Sequence, residues 1–265
     1  MESESLDIED LTRFAMDVLR LSGQEALSYY GKGRPFLKFD EELVTEAELH
    51  LAAFFQDQLG KKFPKHQVLI NNQVKKNYTH KGKRYLWVYD PLDGIANFQA
   101  GIPVWGNSLT LLENFWPLLG LFHMPATDDL FYALAGKKTF RGEKEIYVSD
   151  QEDINDESLL LTYSRFHNNF QSTFPGKIRD LGCTTAHACY VAMGRAEAAI
   201  IKNESYHGLA ASRVIIEAAG GKICKMDGSD FLLDDYLDGQ RIDINLIIAS
   251  PHICSQVGDF IEEIS

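Results

Sequence analysis

Two carboxylates stand three residues apart in the run Asp90-Pro91-Leu92-Asp93-Gly94, directly after the apolar, aromatic stretch Tyr85-Leu86-Trp87-Val88-Tyr89. That stretch reads as a buried strand, so the run sets two hard oxygen donors at a strand end. Magnesium prefers such donors, and metal-assisted hydrolysis of phosphate esters uses them. The residue that follows the run, Ile95, is apolar where a hydrolase of this kind would want a polar group. Taken alone, Asp93-Gly94 also suits a turn, with Asp favouring the turn and Gly taking positive φ.

The elements that must position this run follow from periodicity. Residues 6–30 carry Leu6, Leu11, Phe14, Val18, Leu19 and Leu21 at near-helical spacing. After a Gly/Pro-bearing loop over 31–44, Thr45 with Glu48 three residues later has the form of a capping box and opens a second helix. Val68–Ile70 is a short strand, and Lys75–Tyr89 a hairpin turning near His80-Lys81-Gly82-Lys83. Further strands are expected at Ser108–Leu112, Leu118–His123, Leu130–Ala135, Glu145–Val148 and Leu159–Tyr163. In the second half, Thr184–Met193 and Leu209–Ala219 read as helices, the latter closed by Gly220-Gly221. Ala196–Ile201, Lys222–Cys224 and Leu246–Ala249 read as strands, and Pro251 begins a helix running to the C-terminus. Strands and helices alternate irregularly, which points to a layered sandwich rather than a regular βαβ array. The acidic stretch Asp150–Glu157 suggests a boundary, giving halves 1–145 and 146–265 within one compact unit.

The 265 residues are 45% hydrophobic and 24% charged, with net charge −12, an ordinary globular composition. So acidic a chain lacks the counter-charge of a general nucleic-acid binder, although a small anion needs only a local positive field. No uninterrupted apolar stretch is long enough to span a bilayer, so no membrane partner is expected. The polar N-terminus has no apolar secretory core, and a cytoplasmic location is the default expectation. Cys183, Cys189, Cys224 and Cys254 show no CxxC spacing, and they read as reduced core thiols.

The run Asp90-Pro91-Leu92-Asp93-Gly94-Ile95-Ala96-Asn97-Phe98 resembles the first signature of the inositol monophosphatase family, Asp-Pro-(Ile/Leu)-Asp-Gly-Thr-x-Asn-Phe. His207-Gly208-Leu209-Ala210-Ala211 with Glu217-Ala218-Ala219-Gly220-Gly221 is similar to its second signature, Trp-Asp-x-Ala-(Ala/Gly) … Glu-Ala-Gly-Gly. Glu42-Leu43-Val44-Thr45, the segment Arg179 to Ala186, and Gly194-Arg195-Ala196-Glu197-Ala198 agree with further family segments in the same order. The resemblance implies an α+β fold, a layered α-β-α-β-α sandwich of the inositol monophosphatase / fructose-1,6-bisphosphatase type. It also implies magnesium-dependent, lithium-sensitive hydrolysis of a phosphate monoester, and a homodimer. Asp90, Asp93 and Glu48 would be metal ligands, with the capping box an equally good account of Glu48. Gly94, Ile95, Gly182 and Thr184 would line the phosphate or substrate.

Three positions depart from the pattern. The family's Gly-Glu-Glu, whose carboxylates bind metal and activate water, falls on Ile70-Asn71-Asn72. The Thr of the first signature is Ile95, and the Asp of the second is Gly208. A substrate-contacting Glu falls on Ile201. An amide oxygen, a sec-butyl group and a hydrogen atom thus stand where carboxylates and a hydroxyl belong, which weakens a magnesium site and removes acid–base assistance typically worth about 10²–10⁴-fold. No residue stands out as catalytic: Asn71, Ile95 and Gly208 occupy degraded positions. The expected cofactor is a weak or partial magnesium site, or none, with Glu204 or His207 as substitute ligands.

Other candidates are weaker. His66, His123, His187 and His207 have no HExxH-type spacing, and Ser108, Ser164 and Ser212 no Gly-x-Ser-x-Gly elbow. Lys75, Lys76, Lys81, Lys83 and Arg84 form a basic hairpin. The expectation is a phosphatase-like protein of weakened or lost activity that meets a small phosphorylated metabolite or inorganic anion. The rivals are an active sugar, inositol or nucleotide 3′-phosphatase using substitute ligands, and a non-catalytic dimeric regulatory protein.

Overall fold

Strand β2 (Tyr85–Asp93) buries both of its faces. Tyr85, Trp87 and Tyr89 point to one hydrophobic cluster, and Leu86 and Val88 to another. This is the two-residue alternation of a strand with protein on both sides. The computed structural model describes residues 7–33, 41–70 and 84–264.

Around β2 lies a seven-stranded sheet in chain order: β1 (Gln67–Leu69), β2, β3 (Gly106–Glu113), β4 (Trp116–Met124), β5 (Asp129–Leu134), β6 (Thr139–Arg141) and β7 (Lys144–Ile146). β1 and β2 run parallel, and the rest pair antiparallel. A second sheet runs β10 (Lys177–Arg179), β8 (Leu159–Leu161), β11 (Ala198–Ile201), β13 (Leu246–Ala249), β12 (Lys222–Lys225).

Helices fill the layers. α1 (Ile8–Leu27) and α2 (Glu41–Lys62) cover the outer face of the large sheet, against Trp87, Tyr89, Leu109, Leu111, Leu119 and Leu121. α4 (Thr184–Ala192) and α5 (Tyr206–Ala218) lie between the sheets, where Ala186, Ala188, Val191, Leu209, Val214 and Ile215 meet residues of both. α6 (Pro251–Cys254) packs on the far face of the small sheet, with Ile247 and Ala249. The order is therefore helices, sheet, helices, sheet, helix, the layered α+β sandwich expected. α3 (Ile95–Ala100) is a short helix after β2, and a ribbon of β9 (Phe170–Ser172) with β14 (Ile261–Glu263) closes the chain's end. Among the described residues no helix is long and apolar enough to cross a membrane.

Several expectations are corrected. α2 starts at Glu41, so Thr45 lies inside the helix rather than at its N-cap; helical backbone reaches back past the apparent capping box. The final helix stops at Cys254. Pro251 at the first helical position and the Ser250 hydroxyl, which accepts from the Ile253 N–H at 3.5 Å, open it well. A side chain at Gly258 would then strike the Met226 carbonyl, and the chain turns there to give Phe260 and Ile261 to the neighbouring core. Cys224 and Cys254 form a disulfide between β12 and α6, against the reading of four reduced thiols; Cys183 and Cys189 are free and buried. The 30-residue separation of Cys224 and Cys254 hid a pair that only the packing of α6 on β12 brings together. The first arm and turn of the expected hairpin, with Lys75, Lys76, Lys81 and Lys83, lie outside the described residues, as do Asn71 and Asn72.

Candidate functional site

The pairing of β2 with β3 slips between Asp90, opposite Ser108, and Asp93, opposite Gly106. This bulge lets Pro91 sit at the strand end and turns both carboxylates towards one cleft. Gly94 follows with φ 85° and caps α3. A Cβ there would lie 2.9 Å from the Val104 carbonyl and 3.0 Å from Cys183 Cβ, so both the backbone conformation and the space demand glycine. Asn97, in α3, donates from Nδ2 to the carbonyls of Val104, at 2.6 Å, and Leu181, at 2.7 Å. Gly182, at φ 71°, lies against that amide, and a Cβ would sit 2.8 Å from it. The first signature thereby clamps the turn that opens α4.

The cleft so formed has a volume of about 330 Å³ and is lined by Asp90, Asp93, Gly94, Ile95, Gly182 and Thr184 with Tyr163, Ser164, Asp180, Cys183 and His187 among its other walls. The structure thus gathers six of the residues singled out from sequence. Glu48, on α2, is half-buried and near enough to Asp90 for that charge, after burial, to raise its pKa. Neither it nor the substitute ligands Glu204 and His207 are among the described residues of the cleft wall. Ile95 is 36% exposed at the rim. Ile201 is sealed in the central core.

Each acid is held by a hydrogen bond. Asp90 Oδ1 accepts from the Leu92 N–H at 3.2 Å. Burial, ahead of the Asp93 charge, raises the Asp90 pKa, while His207 and the Leu92 N–H draw it down. Asp93 Oδ2 accepts from the Thr185 N–H at 2.6 Å, in the first turn of α4. Glu204 accepts at Oε1 from the Thr184 hydroxyl at 2.7 Å; burial first, then Asp93 and Asp90, push its pKa up to about 8. On the far wall Asp180 accepts from the Ser164 hydroxyl at 2.5 Å and the Gly182 N–H at 2.7 Å. His187 Nε2 accepts from the Leu181 N–H at 3.0 Å, and burial lowers its pKa.

Gly208 stands in the first turn of α5, whose N-cap is Ser205. Its N–H donates to the Ser205 hydroxyl oxygen at 3.3 Å, and the same oxygen lies 2.8 Å from His207 Nδ1. The position where a side chain would begin is 3.2 Å from Glu204 Oε2 and 3.9 Å from Asp90 Oδ2. A side chain missing from Gly208 is therefore missing from the acidic end of the cleft. Sequence reading raised Glu204 only as a substitute and passed over Asp180 and Tyr163. His187 was set aside there for want of HExxH-type spacing. Asp180 lies inside the segment that resembles a family motif, and that was the signal available.

Among the described residues that line the cleft there is no lysine or arginine, and the carboxylates of Asp90, Asp93 and Asp180 repel a phosphate dianion that enters alone. The donors suit a magnesium ion in kind, being carboxylate oxygens. Asp90 and Asp93 with Glu204 offer an open set: among the described residues no three acid, imidazole or thiol groups close around one point.

The family model of the inositol monophosphatases matches residues 7–253. A fructose-1,6-bisphosphatase/inositol-1-monophosphatase of Thermotoga maritima is 27% identical over 227 residues, which span 83% of this chain and 87% of the relative. A histidinol-phosphatase of Chlorobaculum parvum is also 27% identical, over 232 residues, spanning 84% and 88%. In structure the chain is similar to an inositol monophosphatase of Thermotoga maritima, with TM-score 0.76 and 24% identity over 94% of this chain and 96% of that one. The extragenic suppressor protein suhB of Bartonella henselae gives TM-score 0.74 at 21% identity, over 98% of both.

Proposed function

Because the chain belongs to the inositol monophosphatase family, we propose that its cleft meets a small phosphorylated metabolite or inorganic anion, and that the family's magnesium-dependent phosphomonoester hydrolysis is weak or lost. The observation that carries this reading is Gly208. It puts no side chain into a position that looks across 3.9 Å at Asp90 Oδ2, where the family signature has a carboxylate.

Asp90 and Asp93 would hold a magnesium ion. When bound, such an ion neutralises phosphate charge and makes a bound water more acidic. The chain's own residues do less. Gly94 and Ile95 present backbone N–H groups at the start of α3, which suit an anionic oxygen. The Ile95 side chain can neither accept nor relay a proton. Asn71 supplies an amide where a carboxylate is expected. Names of the relatives, a bisphosphatase, an inositol phosphatase and a histidinol-phosphatase, support a phosphate monoester of a small polyol or sugar as the ligand class.

The second reading is a working phosphatase with substitute ligands, favoured by Glu204 at the vacancy. A phosphomonoester panel assayed with magnesium separates the two. Little or no phosphate release, with gain in the triple variant Asn71→Glu/Ile95→Thr/Gly208→Asp, is the expected result. Robust release by the natural chain, abolished by Asp90→Asn, would overturn it.

A further inference from the structure

Position 208 and residue 204 share one small space. Glu204 lies just before the Ser205 cap of α5, and its backbone is fixed on both sides: its N–H donates to the Ile242 carbonyl at 3.2 Å, and its carbonyl accepts from the Ile242 N–H at 2.9 Å. The neighbouring Arg241 staples the same turn, donating from Nη2 to the Asn203 carbonyl at 3.0 Å. Glu204 cannot drift far from where it stands.

Its carboxyl is aimed as well as anchored. The Thr184 hydroxyl takes Oε1, leaving Oε2 with no hydrogen bond among the described residues and 3.2 Å from the point where a side chain on Gly208 would start. Asp90 Oδ2 faces that point from the other side at 3.9 Å. A Cβ at 208 would press on Oε2 more closely than side chains ordinarily pack, so a side chain there displaces the Glu204 carboxyl by a few tenths of an ångström. The first turn of α4 orients two of the acids at once: Thr184 through its hydroxyl holds Glu204, and Thr185 through its N–H holds Asp93.

We propose that Glu204 supplies, from the turn before α5, the carboxylate that Gly208 lacks, and serves with Asp90 and Asp93 as an oxygen donor to a single divalent cation. This rests on the reading of the cleft as a cation-dependent phosphate site and adds one residue to it. A divalent ion there needs little movement of the backbone, because a free oxygen of Glu204 and one of Asp90 already border the same gap. Three carboxylates would also supply the negative charge that a hard cation requires before it sheds water. Gly208 is then the space that admits the donor, and the carboxylate has moved within the site.

Calorimetric titration of the full chain with manganese, and with magnesium alone, tests this without recourse to turnover. The natural chain is expected to bind one ion, and Glu204→Gln, which keeps the shape and the Thr184 hydrogen bond, to bind it about tenfold or more weakly. Glu204→Gln/Gly208→Asp, which returns a carboxylate by the other route, should regain affinity, while thermal melts confirm that each variant folds. Equal affinity in Glu204→Gln would overturn the proposal, as would failure of the natural chain to bind either ion at millimolar concentration. The latter outcome would leave the loss of hydrolysis intact. Vigorous turnover with affinity that depends on Glu204 would instead overturn the weak-activity reading and sustain this one.

Discussion

Asp93 Oδ2 accepts a hydrogen bond from the Thr185 backbone N–H at 2.6 Å across 92 residues of sequence. α4 has no capping side chain of its own, since its N-cap is Cys183, which makes no side-chain cap hydrogen bond. Asp93 therefore serves as the cap of that helix as well as a wall of the cleft. A carboxylate at a helix N-terminus gains from both the orphan N–H and the macrodipole. Asp93→Ala should accordingly cost about 1–3 kcal/mol of folding free energy, and Asp93→Asn, which keeps an acceptor and loses the charge, less. Urea denaturation of the two variants measures the difference; equal and negligible losses would deny Asp93 this structural part.

Gly94 is the hinge between β2 and α3. Gly94→Ala must adopt φ near 85° with its Cβ 2.9 Å from the Val104 carbonyl. Strain and overlap together should cost about 2 kcal/mol or more. A melting temperature unchanged from that of the natural chain would contradict the geometry.

Protonation of Glu204 links stability to pH. In the folded chain burial and the charges of Asp93 and Asp90 hold its pKa at about 8, against 4.5 for the free group. Between those values the folded state binds the proton more tightly than the unfolded state, so stability falls as pH rises through that window and levels off above it. Asp90 is raised in the same direction. With the shift discounted for relaxation and water entering from the cleft, the Glu204 share is on the order of 2 kcal/mol. Denaturation curves from pH 5 to pH 9, near neutrality by design, should slope downward for the natural chain and less steeply for Glu204→Gln. Parallel curves would show that Glu204 ionises normally.

The disulfide offers a covalent check. Cys224 and Cys254 close a loop of 30 residues, for which the chain-entropy account gives about 3–4 kcal/mol. Thiol titration of the unfolded, unreduced protein should find Cys183 and Cys189 alone, and Cys224→Ser should lower the denaturation midpoint. Four titratable thiols would refute the pairing.

Much of this was legible in the chain. Tyr85 to Tyr89 announced a strand because both of its faces are buried and apolar, and Gly220-Gly221 ended α5 as glycine does when the backbone turns left-handed at φ 89°. The layer order followed from the family signatures, whose residues hold the α3 turn against α4. Other features depended on contacts distant in sequence. Thr45 had the local form of a cap, yet α2 continues through it to Glu41. The helix after Pro251 stops at Cys254, and the backbone tightens into a single 3-10 turn, Val257–Phe260, before β14. Asp180 and Glu204 carry no spacing signal of their own: one reaches the cleft through the loop before α4, the other through the turn that Ile242 pins.

The central claim is that Ile95, Gly208 and Asn71 have dismantled hydrolysis while the cleft persists. The most direct test is release of inorganic phosphate from inositol, sugar and histidinol phosphates, with magnesium, by the natural chain and by Asn71→Glu/Ile95→Thr/Gly208→Asp. The predicted result is release at or near background for the natural chain and clearly above it for the triple variant. Brisk, magnesium-dependent release by the natural chain, lost in Asp90→Asn, would contradict the account.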